Sequence, residues 1–554
     1  MVQKLTADLV LVNGKIVTLD PQQSIVEAVA VRCGRILAVG SNHQIESLVF
    51  PQTDLVDLKG RTVVPGLIDS HCHMISMMTV DRAIGAIFVN SESGVRSIAD
   101  IQSRIAVDAS KKPEDQWVFA RGEDESTLAE RRHPTKADLD NAVSSHPVLV
   151  EHVGGHVSIF NSRALELAGV RRDAPDPVGG RYERDPSTGE LTGIVHEQAA
   201  RDSILPSSAE RPSLEKGVES LRWVAEQYVA SGLTCISEGW VRDSILIEIA
   251  REALRNQQLP IRIRIDPTKD LMSHLAASGI GEGFGNEMLQ INAIKAIVDG
   301  AVSSGTAALF ESYPGRPGYR GELATTKEAL RDLVMEGCSK GFRFAVHANG
   351  DRAIDMLLDV LEEADAKYPR KDPRHRIIHC TVINDRIIDR IKRSGVLPTI
   401  FGPFAYYHGD KLFNSYGPEM LERMMAARSF LDAGIMVSAH SDCSAAPFEP
   451  LLGIHSLVNR QSANGKPVGL SQRVSAIDAL KMYTINAAYH TFEENIMGSI
   501  EPGKYADMVV LGKDLLTVPI DTIKDIPVDM TIVGGRIVYR RLRESKPSNQ
   551  HDDQ

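Results

Sequence analysis

An α/β fold built around a (β/α)8, TIM-like barrel is what three features of this sequence predict. Eight short apolar runs in the middle of the chain alternate with helix-like stretches, and strand–helix alternation favours a parallel sheet. Eight such units are the number that closes a barrel. β-rich runs punctuated by glycine occupy both ends of the chain, which points to one small β-sandwich domain assembled from the two termini. A doubly wound open sheet is the competing architecture for the middle.

The N-terminal runs come first. "ADLVLVNGKIVTLD" places two β-rich segments around Asn13-Gly14, a hairpin signal. "SIVEAVAVRCGRILAVG" repeats the pattern around Cys33-Gly34, and "LVDLKGRTVVPG" around Gly60. The eight central runs are "GLIDSHCH", "LTCISEGW", "IRIRIDP", "AIKAIVDG", "RFAVHANG", "RIIHC", "VLPTIFG" and "IMVSAHSD". Stretches such as "RAIDMLLDVLEEADAKY" and "PEMLERMMAARSFLDAG" between them have helical periodicity. Between the first two runs lie about 150 residues, too many for one connection. They contain "QWVFARGE", "HPVLVEHVGGHVSIFNSRAL" and the glycine- and proline-rich "APDPVGGRYERDPSTGELTG", so an inserted subdomain after the first barrel strand is expected. At that position it sits at the catalytic end of a barrel, as a lid or pocket wall. "GSIEPGKYADMVVLG" and "VDMTIVGGRIVYR" return to strand and turn. The expected units are 1–65 plus 494–540 as the composite sandwich, 66–493 as the barrel, about 85–212 as the insertion, and 541–554 as a polar, disordered tail.

Bulk properties narrow the function. The chain has 554 residues, is 43% hydrophobic and 24% charged, and carries a net charge of −11 that is spread along it. That balance argues against a nucleic-acid or anionic-membrane partner; the expected partner is a small-molecule substrate. No run approaches the roughly 18–20 apolar residues of a membrane span. Six cysteines in so long a chain do not make a disulfide framework. With no signal-peptide pattern at the N-terminus, a cytoplasmic address is expected, and base rates for cytoplasmic proteins suggest a homodimer.

The chemistry-bearing residues fall at strand ends. His71 and His73 are two apart in an extended run, so they share a face while Cys72 points the other way. Two imidazoles on one face suit a divalent metal; two ordinary hydrogen-bonded histidines are the alternative. His347 ends "RFAVH", His379 ends "RIIH", Asp442 ends "IMVSAHSD", and Lys295 interrupts "AIKAIVDG". In a barrel these ends converge on one mouth. Such a set suits one or two first-row ions, zinc foremost. Lys295 is either a snorkelling or salt-bridged lysine, with Asp299 as partner, or a neutral amine that captures carbon dioxide as a bridging carbamate. Asp442 is the natural general base, with a helix cap as its structural alternative.

With these residues in place, the sequence resembles the amidohydrolase superfamily, in its amidohydrolase family 3 (YtcJ-like) branch. "GRTVVPGLIDSHCH", "GHVSIFNSRAL", "AIKAIVDGAVSSGTAAL", "FAVHANGDRAI", "RIIHC", "AHSD", "YTINAAYHTFEE" and "GSIEPGKYADMVVL" follow in that family's order over nearly the whole chain. The resemblance implies a metal-dependent hydrolase of non-peptide C–N bonds (amide, N-acyl or N-formyl) that uses metal-activated hydroxide. It implies His71, His73, His347 and His379 as metal ligands, Asp442 as ligand and base, and Lys295 as a carboxylated bridge. It places His156 toward the substrate, with a structural histidine as the alternative. Trp117, Asp351 and Arg352 are further substrate-side candidates, each with a structural alternative: core aromatic, helix cap and surface ion pair. Two departures stand out. His440 replaces the family's usual glycine before Ser-Asp, which puts a bulky titratable group near the metal and makes it a substrate-side candidate. "SEGW", with Glu238, replaces the usual aspartate after the second strand. Two rival functions remain: a non-catalytic or regulatory barrel protein, and a metal-dependent isomerase or decarboxylase on the same fold.

Overall fold

The computed structural model describes residues 6–542. Eight parallel strands carry the centre: β1 (Leu67–Cys72), β2 (Leu233–Val241), β3 (Arg262–Pro267), β4 (Ile294–Ile297), β5 (Phe344–Ala348), β6 (Arg376–His379), β7 (Leu397–Phe401) and β8 (Ser438–His440). They are the eight central runs read from the sequence. Backbone pairing runs in two arcs. One joins β1, β2 and β3 and ends on the short strand Leu289–Ile291; the other joins β4 through β8. The arcs meet through a few scattered contacts rather than continuous ladders. Thr268 bridges Lys295 on one side, and the Asp442 N–H donates to the His71 carbonyl at 3.1 Å on the other. The result is a TIM-barrel-like α/β arrangement.

The alternation builds its own core. Helices such as Leu214–Ala230, Lys327–Ser339 and Asp351–Lys367 bury one apolar stripe against the strands. Cys72, Ile236, Ile263, Val346 and Ile377 belong to the same buried cluster as those stripes. One side of the strands therefore meets helices while the alternate residues face inward. The stretch 418–434 forms two short helices, Pro418–Glu422 and Ala427–Asp432, rather than one. The break falls at Met425, whose φ of 45° lies in the left-handed region that a helix cannot continue through.

The two ends of the chain supply two further sheets. Leu9–Val12, Ala28–Arg32, Arg35–Gly40 and Asp54–Asp57 form one. Ile25–Val26, Lys15–Val17, Thr62–Pro65, Met508–Leu511, Val528–Val533 and Arg536–Arg540 form the other, so it mixes both termini. Val29, Val31 and Val56 from the first share a buried cluster with Val63, Met508, Val510 and Ile532 from the second. The hairpins expected at Asn13-Gly14 and Gly60 do not form. Leu9–Val12 pairs with Ala28–Arg32 and Asp54–Asp57, whereas Lys15–Val17 pairs with Ile25–Val26 and Thr62–Pro65. Both turns are corners between sheets, because each flanking strand finds its partner elsewhere. The hairpins at Cys33-Gly34 and Gly534-Gly535 do form.

Between β1 and β2 the chain builds a six-stranded sheet from Ile87–Phe88, Val118–Glu123, Val148–His152, Val157–Phe160, Arg181–Arg184 and Leu191–His196. It has its own buried clusters, around Ile101, Val118 and Val150 and around Phe119, Phe160 and Val195. All six cysteines are free. No helix among the described residues is long and apolar enough to cross a membrane. The tail expected to be disordered lies, from residue 543 on, outside the described residues.

Candidate metal centre

Asp69, at the buried inner side of β1, sets the first histidines. Its Oδ1 accepts from the backbone N–H of His71 at 3.2 Å and from that of Ser441 at 3.1 Å, and its Oδ2 accepts from the Ser441 hydroxyl at 2.5 Å. The first and last barrel strands are thereby tied at the level of the site.

Each histidine has one nitrogen oriented by the protein or left open. His73 Nδ1 lies 3.2 Å from the Gly239 carbonyl. A carbonyl only accepts, so Nδ1 carries the proton and Nε2 keeps its lone pair. His347 Nε2 lies 3.1 Å from the Gly300 carbonyl and 3.0 Å from Asn349 Nδ2, and these two groups orient the ring. His71 is fully buried; its Nε2 lies 3.4 Å from Asp442 Oδ1 and 3.0 Å from Lys295 Nζ, and its Nδ1 has no hydrogen-bond partner. His73 Nε2 lies 3.4 Å from the same Asp442 oxygen. Ring centroids are 4.9 Å apart for His71 and His73, 4.5 Å for His347 and His379, and 5.9 Å for His71 and His379. Donor atoms of His71, His379 and Asp442 all lie within 4.8 Å of one another. The sequence spreads these three residues over the whole barrel; the fold gathers them.

The backbone is held in unusual conformations at the gathering point. His379, Cys380 and Asp442 have φ of 73°, 44° and 54°. Left-handed conformations of such residues cost on the order of 1–3 kcal/mol each and persist only where surrounding contacts impose them. Here the Cys380 N–H donates to Ala348 and the Asp442 N–H to His71, both at 3.1 Å.

Electrostatics suit a cation. Burial alone would raise the Asp442 carboxyl, but His379, His71 and His73 around it outweigh burial and hold it well below its usual range. Burial, reinforced by Lys295, pushes His71 well down, and it pushes His347 to about 3. Neutral imidazoles beside an ionised carboxylate are the protonation states that a first-row metal binds. Lys295 is only 3% exposed, and burial brings its ammonium down to about 8. Its expected partner is otherwise engaged: Asp299 accepts the backbone N–H groups of Ala308, Asn349 and Gly350 at 2.8–2.9 Å. The donor set of imidazoles, carboxylate and buried amine, with His71 Nε2 facing Asp442 and the His73 Nε2 lone pair free, fits a zinc-like ion.

The substrate-side candidates take varied places. His156 comes from the insertion, and its ring centroid is 5.7 Å from that of His347. Its Nδ1 lies 2.9 Å from Glu197 Oε2; burial opposes protonation there, but the Glu197 carboxylate prevails and raises its pKa. Val157 pairs with His196 across an antiparallel ladder, which brings Glu197 beside His156. His440 is fully buried, with its ring centroid 5.0 Å from that of His379. Trp117 stacks on Phe119 at 5.8 Å in the insertion core. Asp351 accepts from the Phe310 N–H and from Arg423, and Arg352 reaches the carbonyls of Arg320 and Gly321.

Glu238, Gly239, Asn349 and Glu197 were not singled out as positioning residues from sequence. Glu238 accepts the N–H groups of Ile75 and Ser76 at 2.8 and 2.9 Å, which anchors the π-helical turn after His73. Only Glu238 carried a signal, as an acid inside an apolar run. A cavity of about 360 Å³ reaches Cys443, the residue after Asp442. Met77, Met78, Phe448 and Ser444 from the barrel side and Phe88 and His152 from the insertion line it. Arg121 also lines it, but its guanidinium is taken by Asp81, Glu151 and Glu210.

Comparison with known proteins agrees with this architecture. YtcJ of Bacillus subtilis (strain 168) is 28% identical over 552 residues, covering 96% of this chain and 99% of that protein. The N-substituted formamide deformylase of Arthrobacter pascens is 29% identical over 547 residues, covering 96% and 98%. The crystal structure of an uncharacterised metal-dependent hydrolase from Pyrococcus furiosus superposes with a TM-score of 0.71 at 26% identity, over 92% of this chain and 100% of that one. A family model described as the amidohydrolase family matches residues 54–539, nearly the entire described chain, and to that family the protein belongs.

Proposed function

We propose that the protein is a metal-dependent hydrolase that cleaves a non-peptide C–N bond of a small amide, N-acyl or N-formyl compound. The observation that carries this reading is the meeting of His71, His379 and Asp442 donor atoms within 4.8 Å at the ends of strands remote in sequence. His71, His73, His347, His379 and Asp442 would hold one or two ions, zinc in the first instance, with Lys295 as a carbamate bridge if two are bound. When bound, such an ion lowers the pKa of water toward about 7 and polarises a carbonyl oxygen. Asp442 accepts the proton of the attacking water and returns it to the leaving nitrogen. His156, steered by Glu197, faces the substrate from the insertion.

The reading also takes the two strand arcs as one closed barrel within 66–493, the end sheets as a sandwich of 1–65 and 494–540, and about 85–212 as a subdomain that walls the pocket. A mixed lining that includes the acidic Glu92 and Glu449, with Arg121 fully engaged, favours an uncharged substituent on nitrogen over a carboxylate. The family relative from Arthrobacter pascens, named for N-substituted formamides, is consistent with that choice.

A panel of N-formyl and N-acyl amines, analysed for products, tests the proposal. Release of amine and acid in equal amounts is expected, with loss on chelation and return on adding zinc. Turnover that survives complete metal removal, or a product isomeric with the substrate, would overturn it.

A further inference from the structure

One imidazole in the centre is explained neither by the ligand set above nor by hydrogen bonding. His440 precedes Asp442 by two positions, at the end of β8. It is fully buried, and neither Nδ1 nor Nε2 has a hydrogen-bond partner among the described residues. Its ring lies against Phe401, centroids 5.2 Å apart and planes inclined by 29°. That contact satisfies the ring face and leaves the nitrogens unserved. Leaving a buried polar atom unpaired costs about 1–3 kcal/mol.

The surroundings say what would serve it. The His440 centroid lies 5.0 Å from that of His379 and 5.5 Å from that of His71. These separations fall within the range spanned by the expected ligand pairs, 4.5 Å for His347 and His379 to 5.9 Å for His71 and His379. Its ring is thus one of a continuous imidazole cluster, edge-on to both neighbours. A neutral imidazole has one lone pair to give, and neither His71 nor His379 brings an N–H within hydrogen-bond distance of it.

We propose that His440 is a further nitrogen ligand of the metal centre, which makes this chain's coordination shell richer in imidazole than His71, His73, Lys295, His347, His379 and Asp442 alone. The inference rests on the metal-centre reading above. Its consequence is a tighter hold on late first-row ions, for which imidazole is the preferred donor.

The test uses the full chain, stripped with chelator and reloaded with Co²⁺. Three variants are compared with the unaltered protein: His440→Phe, which keeps ring volume and the stack on Phe401; His440→Ala; and His71→Ala as a control. Cobalt affinity is measured by chelator competition and the shell by the visible ligand-field bands. The expected result is an affinity about tenfold or more lower for both His440 variants, with displaced or weakened bands. Circular dichroism of the metal-free forms checks folding, and the comparison is read from whichever His440 variant folds like the unaltered protein; if neither folds, the nitrogens have a structural role and the proposal is overturned. If His71→Ala loses the metal while His440→Phe keeps unchanged affinity and superimposable bands, His440 is not a ligand although the centre is real. If His71→Ala itself binds cobalt unchanged, the metal-centre reading fails, and this proposal with it.

Discussion

At Gly239 one hydrogen atom in place of a methyl group decides where His71 can sit. A Cβ there would fall 2.2 Å from His71 Cε1 and 2.8 Å from its Nδ1, well inside contact distance. Gly239→Ala is therefore expected to displace the His71 ring and weaken metal binding about tenfold, while the protein still folds; retained affinity in a chelator titration would refute this. Lys295 presents the opposite case, a buried amine 3.0 Å from His71 Nε2 whose expected partner, Asp299, is committed to backbone N–H groups. Lys295→Ala should lose most activity and regain part of it with added acetate or propionate, which would replace a bridging carbamate. Full activity and full metal content in that variant would remove the bridge from the scheme. The histidines and Asp442 were legible as a set because their spacing along strands puts them on one side. Gly239 was not, because its role depends on the side chain of another strand.

Among elements, the inner side of the strands is held by charge as well as by apolar packing. Arg376 on β6 pairs with Asp266 on β3 at 2.6 Å, and both side chains are wholly buried. Arg376 also reaches the Ser70 carbonyl on β1 at 3.3 Å. One guanidinium thus joins three strands below the metal site. Removing one partner of a buried pair leaves a charge without compensation, at a cost of about 3–5 kcal/mol. Asp266→Ala is expected to lower unfolding free energy by that amount in urea titration; Asp266→Asn, which keeps a hydrogen bond, should lose less. Equal stability of both variants and the parent would show that water replaces the pair. The strands themselves were legible from apolar runs. The partners of the runs flanking Asn13-Gly14 were not, since a turn signal reports a change of direction and says nothing about which sheet receives each strand.

The whole molecule is closed by its own ends. Thr62–Pro65 leads directly into β1, and its antiparallel neighbour is Met508–Leu511 from the far end of the chain. Arg262 on β3 is paired with Asp507 at 2.7 Å, and Arg264 with Glu493 at 2.7 Å, both buried. A chain ending at residue 505 would lose three strands and uncover Val63 and Val64, which are fully buried. Such a truncation is expected to aggregate or to show a collapsed near-ultraviolet circular dichroism signal. A folded, monodisperse 505-residue product would show that the barrel stands without its terminal sheets. Local pattern carried the element types, the order of strands and helices, and the identity of the residues facing one rim, because alternation and periodicity are properties of neighbours in sequence. The meeting of His71, His379 and Asp442, the insertion's His156 beside His347, and the unpartnered His440 were decided only in three dimensions. Each depends on distances between residues far apart in the chain, and no local regularity encodes those.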